Sequence, residues 1–221
     1  MEAGLGAIKS TASAAWSACF LLLSVLSVNA LAWHIWALDR FGPESEKARV
    51  LRIDMDNSYS EMFEYAMLLA AAVTMIFIAL RRRTAVILLP AILCGYLVFD
   101  NAFQLHESAG RMLYPEHARA GEIIFAALMI VTAIGIGWRV LRNADIFDRQ
   151  ALFGIALVML AFSFFAVGVD AIHSIVAAYW PRYALFVGGI EDFGEMLAIA
   201  LLVAVAVQLL QLATSKTNAR I

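Results

Sequence analysis

Two apolar runs flank three arginines in the stretch SEMFEYAMLLAAAVTMIFIALRRRTAVILLPAILCGYLVFDNAFQ (residues 60–104), and this pattern decides the fold. Residues 60–80 and 84–104 each supply about the 20 residues that a helix needs to cross the hydrocarbon core of a bilayer. The arginines between them are costly to bury in lipid. The stretch therefore predicts two membrane-spanning helices joined by a short basic loop at one membrane face.

Four further apolar segments of spanning length flank this hairpin. With 63% hydrophobic and only 15% charged residues, the 221-residue chain is far less charged than soluble domains, which contain about 25% charged residues. We therefore predict an all-α integral membrane bundle of six transmembrane helices, folded as one domain over residues 1–221. The predicted helices cover residues 12–38, 60–80, 84–104, 121–140, 151–178 and 184–212. Pro90 and Gly95 predict a kink or a close packing point in the third helix.

The charges divide unevenly between the two sides of this topology. One side contains both termini and the two short loops, and it carries nine of the 16 basic residues but three of the 18 acidic residues. Because basic residues in short loops favour the cytoplasm, we expect both termini there and the acidic side outside. In a bacterium this places the protein in the inner (plasma) membrane with the acidic side facing the periplasm.

Acidic and histidine side chains gather toward the outer ends of four predicted helices, inside or beside the apolar runs. They are Glu61, Glu64, Asp100, His106, Glu107, Asp170, His173, Glu191, Asp192 and Glu195. Several lie three, four or seven residues apart, and such positions share one face of a helix. Charges at this depth are expensive unless they are paired, hydrated or metal-bound. We therefore expect them to face the bundle interior at one level of the membrane.

Carboxylates with imidazoles suit a divalent metal such as zinc, iron or manganese. We expect the ligands to come from His106, Glu107, Asp170, His173 and Glu191. A metal-bound water supplies hydroxide near neutral pH. This combination predicts a metal-dependent membrane hydrolase that acts on a lipid or another amphiphile from the outer leaflet, while iron would favour oxidative chemistry instead.

The catalytic assignments complete this hypothesis. The ligand shell of the metal would be completed, or the general base supplied, by Glu64, Asp100 and Glu195. We expect membrane lipid and a lipid-like substrate as partners, and no nucleic acid.

The pattern of His106, Asp170 and His173 resembles that of membrane hydrolases of the alkaline ceramidase and adiponectin-receptor type. Those enzymes place acid and histidine ligands near the ends of spanning helices, so the resemblance implies a metal-dependent hydrolase. This chain departs from the pattern in having six predicted spans rather than seven. It also has Glu191 and Glu195 where that class has a final-helix histidine pair.

Three other functions fit parts of the same pattern. Intramembrane carboxylates also mark proton or cation paths in transporters, although the sequence shows no pair of interrupted helices in matching halves. His106 and His173 would suit a haem between helices. The polar groups would also serve a structural subunit of a membrane complex, where they would only join helices.

Overall fold

The computed structural model describes residues 2–42, 45–53, 55 and 58–218, and this part of the chain is all-helical, without a strand. Apart from the short 3-10 turns Pro115–His117 and Pro181–Tyr183 and the π-helix Phe164–Val169, the helices are α-helices. They are α1 (Glu2–Phe41), α2 (Glu46–Arg49), α3 (Tyr59–Arg82), α4 (Leu88–Phe103), α5 (Leu105–Leu113), α6 (Ala118–Leu141), α7 (Ile146–Ser163), α8 (Asp170–Tyr179) and α9 (Ala184–Asn218).

Five helical segments in the described part of the chain are long and apolar enough to cross a membrane. They are Ala14–Phe41, Tyr59–Arg82, Ala120–Leu141, Ile146–Tyr179 and Pro181–Ser215. The bent pair α4 and α5 makes a sixth if it is counted as one span. The all-helical prediction is confirmed, and the long apolar helices are compatible with an integral membrane protein.

The bend between α4 and α5 measures 76° and falls at Gln104, not at Pro90. Pro90 lies in the first turn of α4, where a proline is tolerated because its missing N–H would have no helical partner. Gln104 adopts the left-handed conformation (φ 49°, ψ 47°) that ends α4. A Cβ atom at Gly95 would meet no described atom within 4 Å, so Gly95 is not a close packing point among the described residues.

A second interruption lies in the span Ile146–Tyr179, where the π-helix separates α7 from α8. A π-helical turn closes hydrogen bonds between residues five apart rather than four, and such turns are frequent at functional sites. The predicted helix 151–178 is thus one continuous span in which the turn before Asp170 is wider than an α-helical turn.

The chain divides into two compact units, and the prediction of one transmembrane domain stays a prediction. Unit 1 contains Met1–Ala70 and Gly154–Ile221, and in it α1, α8 and the π-helix pack against α9. The α9 side chains that this packing buries most completely include Met196, Ile199 and Leu202. This packing positions α8 on α9, the two helices that carry Asp170, His173, Glu191, Asp192 and Glu195.

Unit 2 contains Ala71–Phe153, and in it α5 and α6 form a tightly packed helical hairpin. A Cβ atom at Gly121 would overlap the backbone carbonyl of Gly110, so the two helices touch through their backbones. At the other end of this unit, Arg82 bonds Asp145 (2.6 Å) and Asp148 (3.0 Å) and thereby joins α3 to the start of α7.

Candidate functional site

The first candidate group, the unit 1 cluster, brings six carboxylates and one imidazole together from three helices. Its members are Glu61 and Glu64 of α3, Asp170 and His173 of α8, and Glu191, Asp192 and Glu195 of α9. Glu64 interacts electrostatically with Glu61, Asp192 and Glu195, while Glu195 interacts with Asp170 and Glu191. Spacings of three and four residues place these acids on one face of each helix, as the sequence predicted.

Glu64 is the most deeply placed acid of the unit 1 cluster. It is only 8% exposed, and no hydrogen bond to its carboxyl group occurs among the described residues. One turn earlier, Glu61 accepts a hydrogen bond from the Tyr65 hydroxyl. Carboxylates close together in an apolar setting repel one another unless a proton or another cation lies between them. The cluster is therefore suited to take up positive charge.

His173 joins α8 to α9 through Glu191, with Nδ1 lying 2.9 Å from Glu191 Oε2. The glutamate is the more buried partner, with 13% of its side chain exposed against 32% for the histidine. A carboxylate that holds Nδ1–H fixes the orientation and tautomer of the ring and leaves Nε2 for chemistry. No hydrogen bond to His173 Nε2 occurs among the residues that the structure describes.

Two glycines of α9 make room for the side chains that face it. A Cβ atom at Gly188 would lie 2.9 Å from His173 Cε1, and one at Gly194 would overlap the ring of Phe165 in the π-helix. The π-helix thus packs directly on α9 while α8 presents Asp170 and His173 to the same helix. These glycines were not among the residues that the sequence predicted, although Gly188 and Gly194 lie one turn to either side of Glu191 and Asp192.

His34 is a histidine whose setting the sequence did not predict. It is 4% exposed, and its Nδ1 accepts a hydrogen bond from the backbone amide of Ile53 at 3.2 Å. Its Nε2 lies 3.9 Å from the position of a Cβ atom at Gly189. His34 therefore connects α1 with the segment before α3. Its ring faces Gly189 of α9, which is next to Gly188, the glycine that makes room for His173.

The second candidate group is the unit 2 pair, Asp100 and His106, at the bend between α4 and α5. His106 Nδ1 lies 3.1 Å from Asp100 Oδ2, and the His106 backbone amide donates to Asp100 Oδ1 at 2.8 Å. Asp100 is only 7% exposed, so a buried carboxylate near the end of α4 makes both contacts with His106 at the start of α5. As with His173, a carboxylate faces Nδ1 and no described residue bonds Nε2.

The structure distributes the predicted site residues over these two groups. Glu64, Asp170, His173, Glu191 and Glu195 belong to the unit 1 cluster. Asp100 and His106 form the unit 2 pair.

The remaining predicted ligand, Glu107, pairs instead with Arg111 one turn along α5 at 3.3 Å. Among the described residues, no three His, Cys, Asp or Glu side chains are arranged to hold a metal ion. The predicted divalent metal, whether zinc, iron or manganese, stays a prediction.

Residues 16–209 match the model of a family described as a domain of unknown function, DUF8692. The chain belongs to this family. The matched range contains every residue of the unit 1 cluster and of the unit 2 pair. No curated protein and no solved structure matches the chain.

Proposed function

We propose that this member of the DUF8692 family is a proton- or cation-coupled membrane transporter. The proposal rests on a histidine–carboxylate contact that occurs in two interrupted helical segments. Each of two interrupted helical segments, the π-helix span and the α4–α5 bend, carries a histidine whose Nδ1 faces a carboxylate. Interrupted helices at membrane depth are tolerated where they line a cavity or a binding site, and transporters use them for coupling ions.

The unit 1 cluster has the chemistry that such a role needs. His173 accepts or releases a proton at Nε2, because Glu191 holds the other ring nitrogen. Glu195 of α9 and the more buried Glu64 of α3 interact electrostatically and extend the group beyond the His173–Glu191 pair. A proton, or a small cation such as Na⁺, relieves the repulsion among these carboxylates when it binds.

The proposal also places the unit 1 cluster on one side of the membrane. Arginines gather where α3 ends and where α6 is followed by α7, which favours the cytoplasm for these two helix junctions and for both termini. The unit 1 cluster then faces the exterior, which is the periplasm if the membrane is a bacterial inner membrane.

A pH jump on protein in liposomes adsorbed to a solid-supported membrane tests the coupling without a known cargo. We expect a transient charge displacement in the wild type. His173→Gln and His106→Gln should each reduce it to about half, and the double variant should reduce it at least tenfold. His117→Gln changes an exposed histidine on a 3-10 turn and is the matched control. A sodium jump at constant pH distinguishes a cation from a proton.

Two results would count against the proposal. An unchanged displacement in the double variant, with helical circular dichroism like that of the wild type, excludes proton binding at these histidines. No displacement in the wild type with either ion favours the structural-subunit alternative.

The second candidate function is the metal-dependent hydrolase of a lipid or amphiphile. It is supported by the Glu191–His173 contact, because carboxylates orient metal-binding imidazoles in this way. The described side chains do not form a three-ligand group, so no catalytic step follows from them. Elemental analysis of detergent-purified wild type beside His173→Ala tests this candidate. Near-stoichiometric zinc, iron or manganese that the variant loses would favour the hydrolase over the transporter.

A further inference from the structure

We propose that the arginine end of unit 2 is a binding site for the headgroup of an anionic phospholipid. This end is defined by the C-terminus of α3, the C-terminus of α6 and the start of α7. Six arginines and two aspartates lie there in the sequence: Arg81, Arg82, Arg83, Arg139, Arg142, Arg149, Asp145 and Asp148. The proposal does not depend on the transporter function.

The three consecutive arginines do not have the same role. Arg82 is held by Asp145 and Asp148, and its guanidinium lies 4.1 Å from the centre of the Phe147 ring. Both aspartates are therefore engaged by one arginine. Asp145 also accepts the Asp148 backbone amide at the start of α7. The two aspartates offset two of the six arginine charges, so this end keeps a net charge of four positive.

Arg81 and Arg83 are exposed, and neither makes an ion pair or a side-chain hydrogen bond with a described residue. The same holds for Arg139 and Arg142 at the end of α6. Arg149 differs, since its Nε donates to the Ala144 carbonyl at 3.0 Å. Four guanidinium groups at this end thus remain for an anion from outside the chain.

The backbone at Arg83 adopts a left-handed conformation that is unfavourable for any residue with a side chain. Arg83 has φ 53°, its amide donates to Leu80, and the Thr84 amide donates to Ala79. This is the Schellman arrangement that ends a helix, and glycine is the residue that favours its left-handed position. An exposed arginine that makes no ion pair or side-chain hydrogen bond with a described residue, at a backbone position that favours glycine, points to an external ligand.

The position of this end in the fold indicates that the ligand is a lipid. Arg81 and Arg82 end the candidate span Tyr59–Arg82, and Arg139 lies in the last turn of the span Ala120–Leu141. Trp138, next to Arg139, is 66% exposed, and tryptophan side chains concentrate at the membrane interface. Guanidinium groups bind phosphate through paired N–H donors, and the phosphates of headgroups lie where spanning helices end.

Native mass spectrometry of the protein in neutral detergent tests the site, with phosphatidylglycerol, phosphatidylcholine and inorganic phosphate added in turn. We expect selective retention of phosphatidylglycerol by the wild type. Because each arginine near an anionic surface contributes about fivefold in affinity, Arg81→Gln/Arg83→Gly should weaken retention about 25-fold. Arg83→Gly removes the strained side chain, so the lipid-free variant should melt at the same temperature as the wild type or higher.

Arg40→Gln/Arg111→Gln is the matched control, because it removes two exposed arginines that lie outside the arginine end. Its retention of phosphatidylglycerol should equal that of the wild type. Equal losses in the two double variants would overturn the proposal, because they would show a nonspecific charge effect. Equal retention of phosphatidylglycerol and phosphatidylcholine by the wild type would overturn it as well, and so would binding of inorganic phosphate in place of lipid.

Discussion

The two carboxylate-held histidines are built in different ways. In unit 2, Asp100 and His106 are six residues apart, and one carboxylate binds both the ring and the backbone amide of the histidine. In unit 1, His173 and Glu191 are 18 residues apart on two helices, and their contact depends on a glycine that admits the ring. The first pair is set by a local bend of the backbone, and the second by the packing of two helices. Different substitutions should therefore disrupt the two histidine–carboxylate contacts.

The largest effect should come from Gly121→Ala, which removes the packing that positions α5. The new methyl group would overlap the Gly110 carbonyl, and a backbone cannot move aside as a side chain does. We expect a loss of about 3 kcal/mol in the free energy of unfolding, at the upper end of overpacking costs. Unfolding in mixed detergent micelles, followed by helical circular dichroism, measures it.

Gly135→Ala is the control for this substitution, because a Cβ atom there would meet nothing within 4 Å among the described residues. Alanine favours a helix over glycine, so this variant should be as stable as the wild type or more stable. Equal stability of Gly121→Ala and Gly135→Ala would contradict the close contact of α5 and α6.

Asp100→Asn should have the next largest effect and should act on unit 2 alone. It keeps the shape of the side chain but removes the negative charge that accepts two hydrogen bonds from His106. Hydrogen bonds to charged groups contribute more than neutral ones, and we expect a loss of about 2 kcal/mol in the same assay. Glu107→Gln, which disrupts the neighbouring helical ion pair with Arg111, should cost under about 0.5 kcal/mol.

Glu191→Gln should cost about 1 kcal/mol, less than Asp100→Asn, because His173 makes one hydrogen bond with Glu191 whereas His106 makes two with Asp100. The variant thus tests whether the local pair depends more on its carboxylate than the pair between helices does. A larger loss for Glu191→Gln than for Asp100→Asn would show instead that the pair between helices depends more on its carboxylate.

Gly188→Ala should have only a small effect on stability, although it acts directly on the site. The added methyl group would lie 2.9 Å from His173 Cε1, at the far end of a side chain that can rotate away. We expect under about 1 kcal/mol of destabilisation but a displaced ring. Imidazole ¹⁵N chemical shifts should change for His173 and stay constant for His106. Unchanged shifts for His173 would show that the ring does not depend on this glycine.

Hydropathy was sufficient to predict the long helices, because a spanning helix needs a long apolar run and the arginines mark where such a run ends. It could not predict the two interruptions. Pro90 was the residue expected to bend the third helix, yet its place in the first turn of α4 makes it harmless. The bend depends on the left-handed backbone of Gln104, for which the apolar pattern carries no signal. The π-helix Phe164–Val169 is as apolar as the α-helix before it.

The site was predictable in its residue types and only partly in its grouping. Spacings of three and four residues correctly placed Asp170 with His173 and Glu191 with Glu195 on shared helix faces. The contact of His173 with Glu191 also requires that α8 pack on α9, and a single sequence does not specify which helices are neighbours. For the same reason the burial of His34 could not be predicted from its place near the end of an apolar run.

The π-helix implies that the chemistry of unit 1 depends on chain length as well as on residue identity. A π-helical turn contains one residue more than the α-helical turn it replaces, and one residue of helix corresponds to about 100° of rotation. Removing a single residue from Phe164–Val169 would turn Asp170 and His173 away from α9 without changing either of them. Among relatives of this chain, a one-residue deletion in this turn would thus separate those that keep the site from those that keep only its residues.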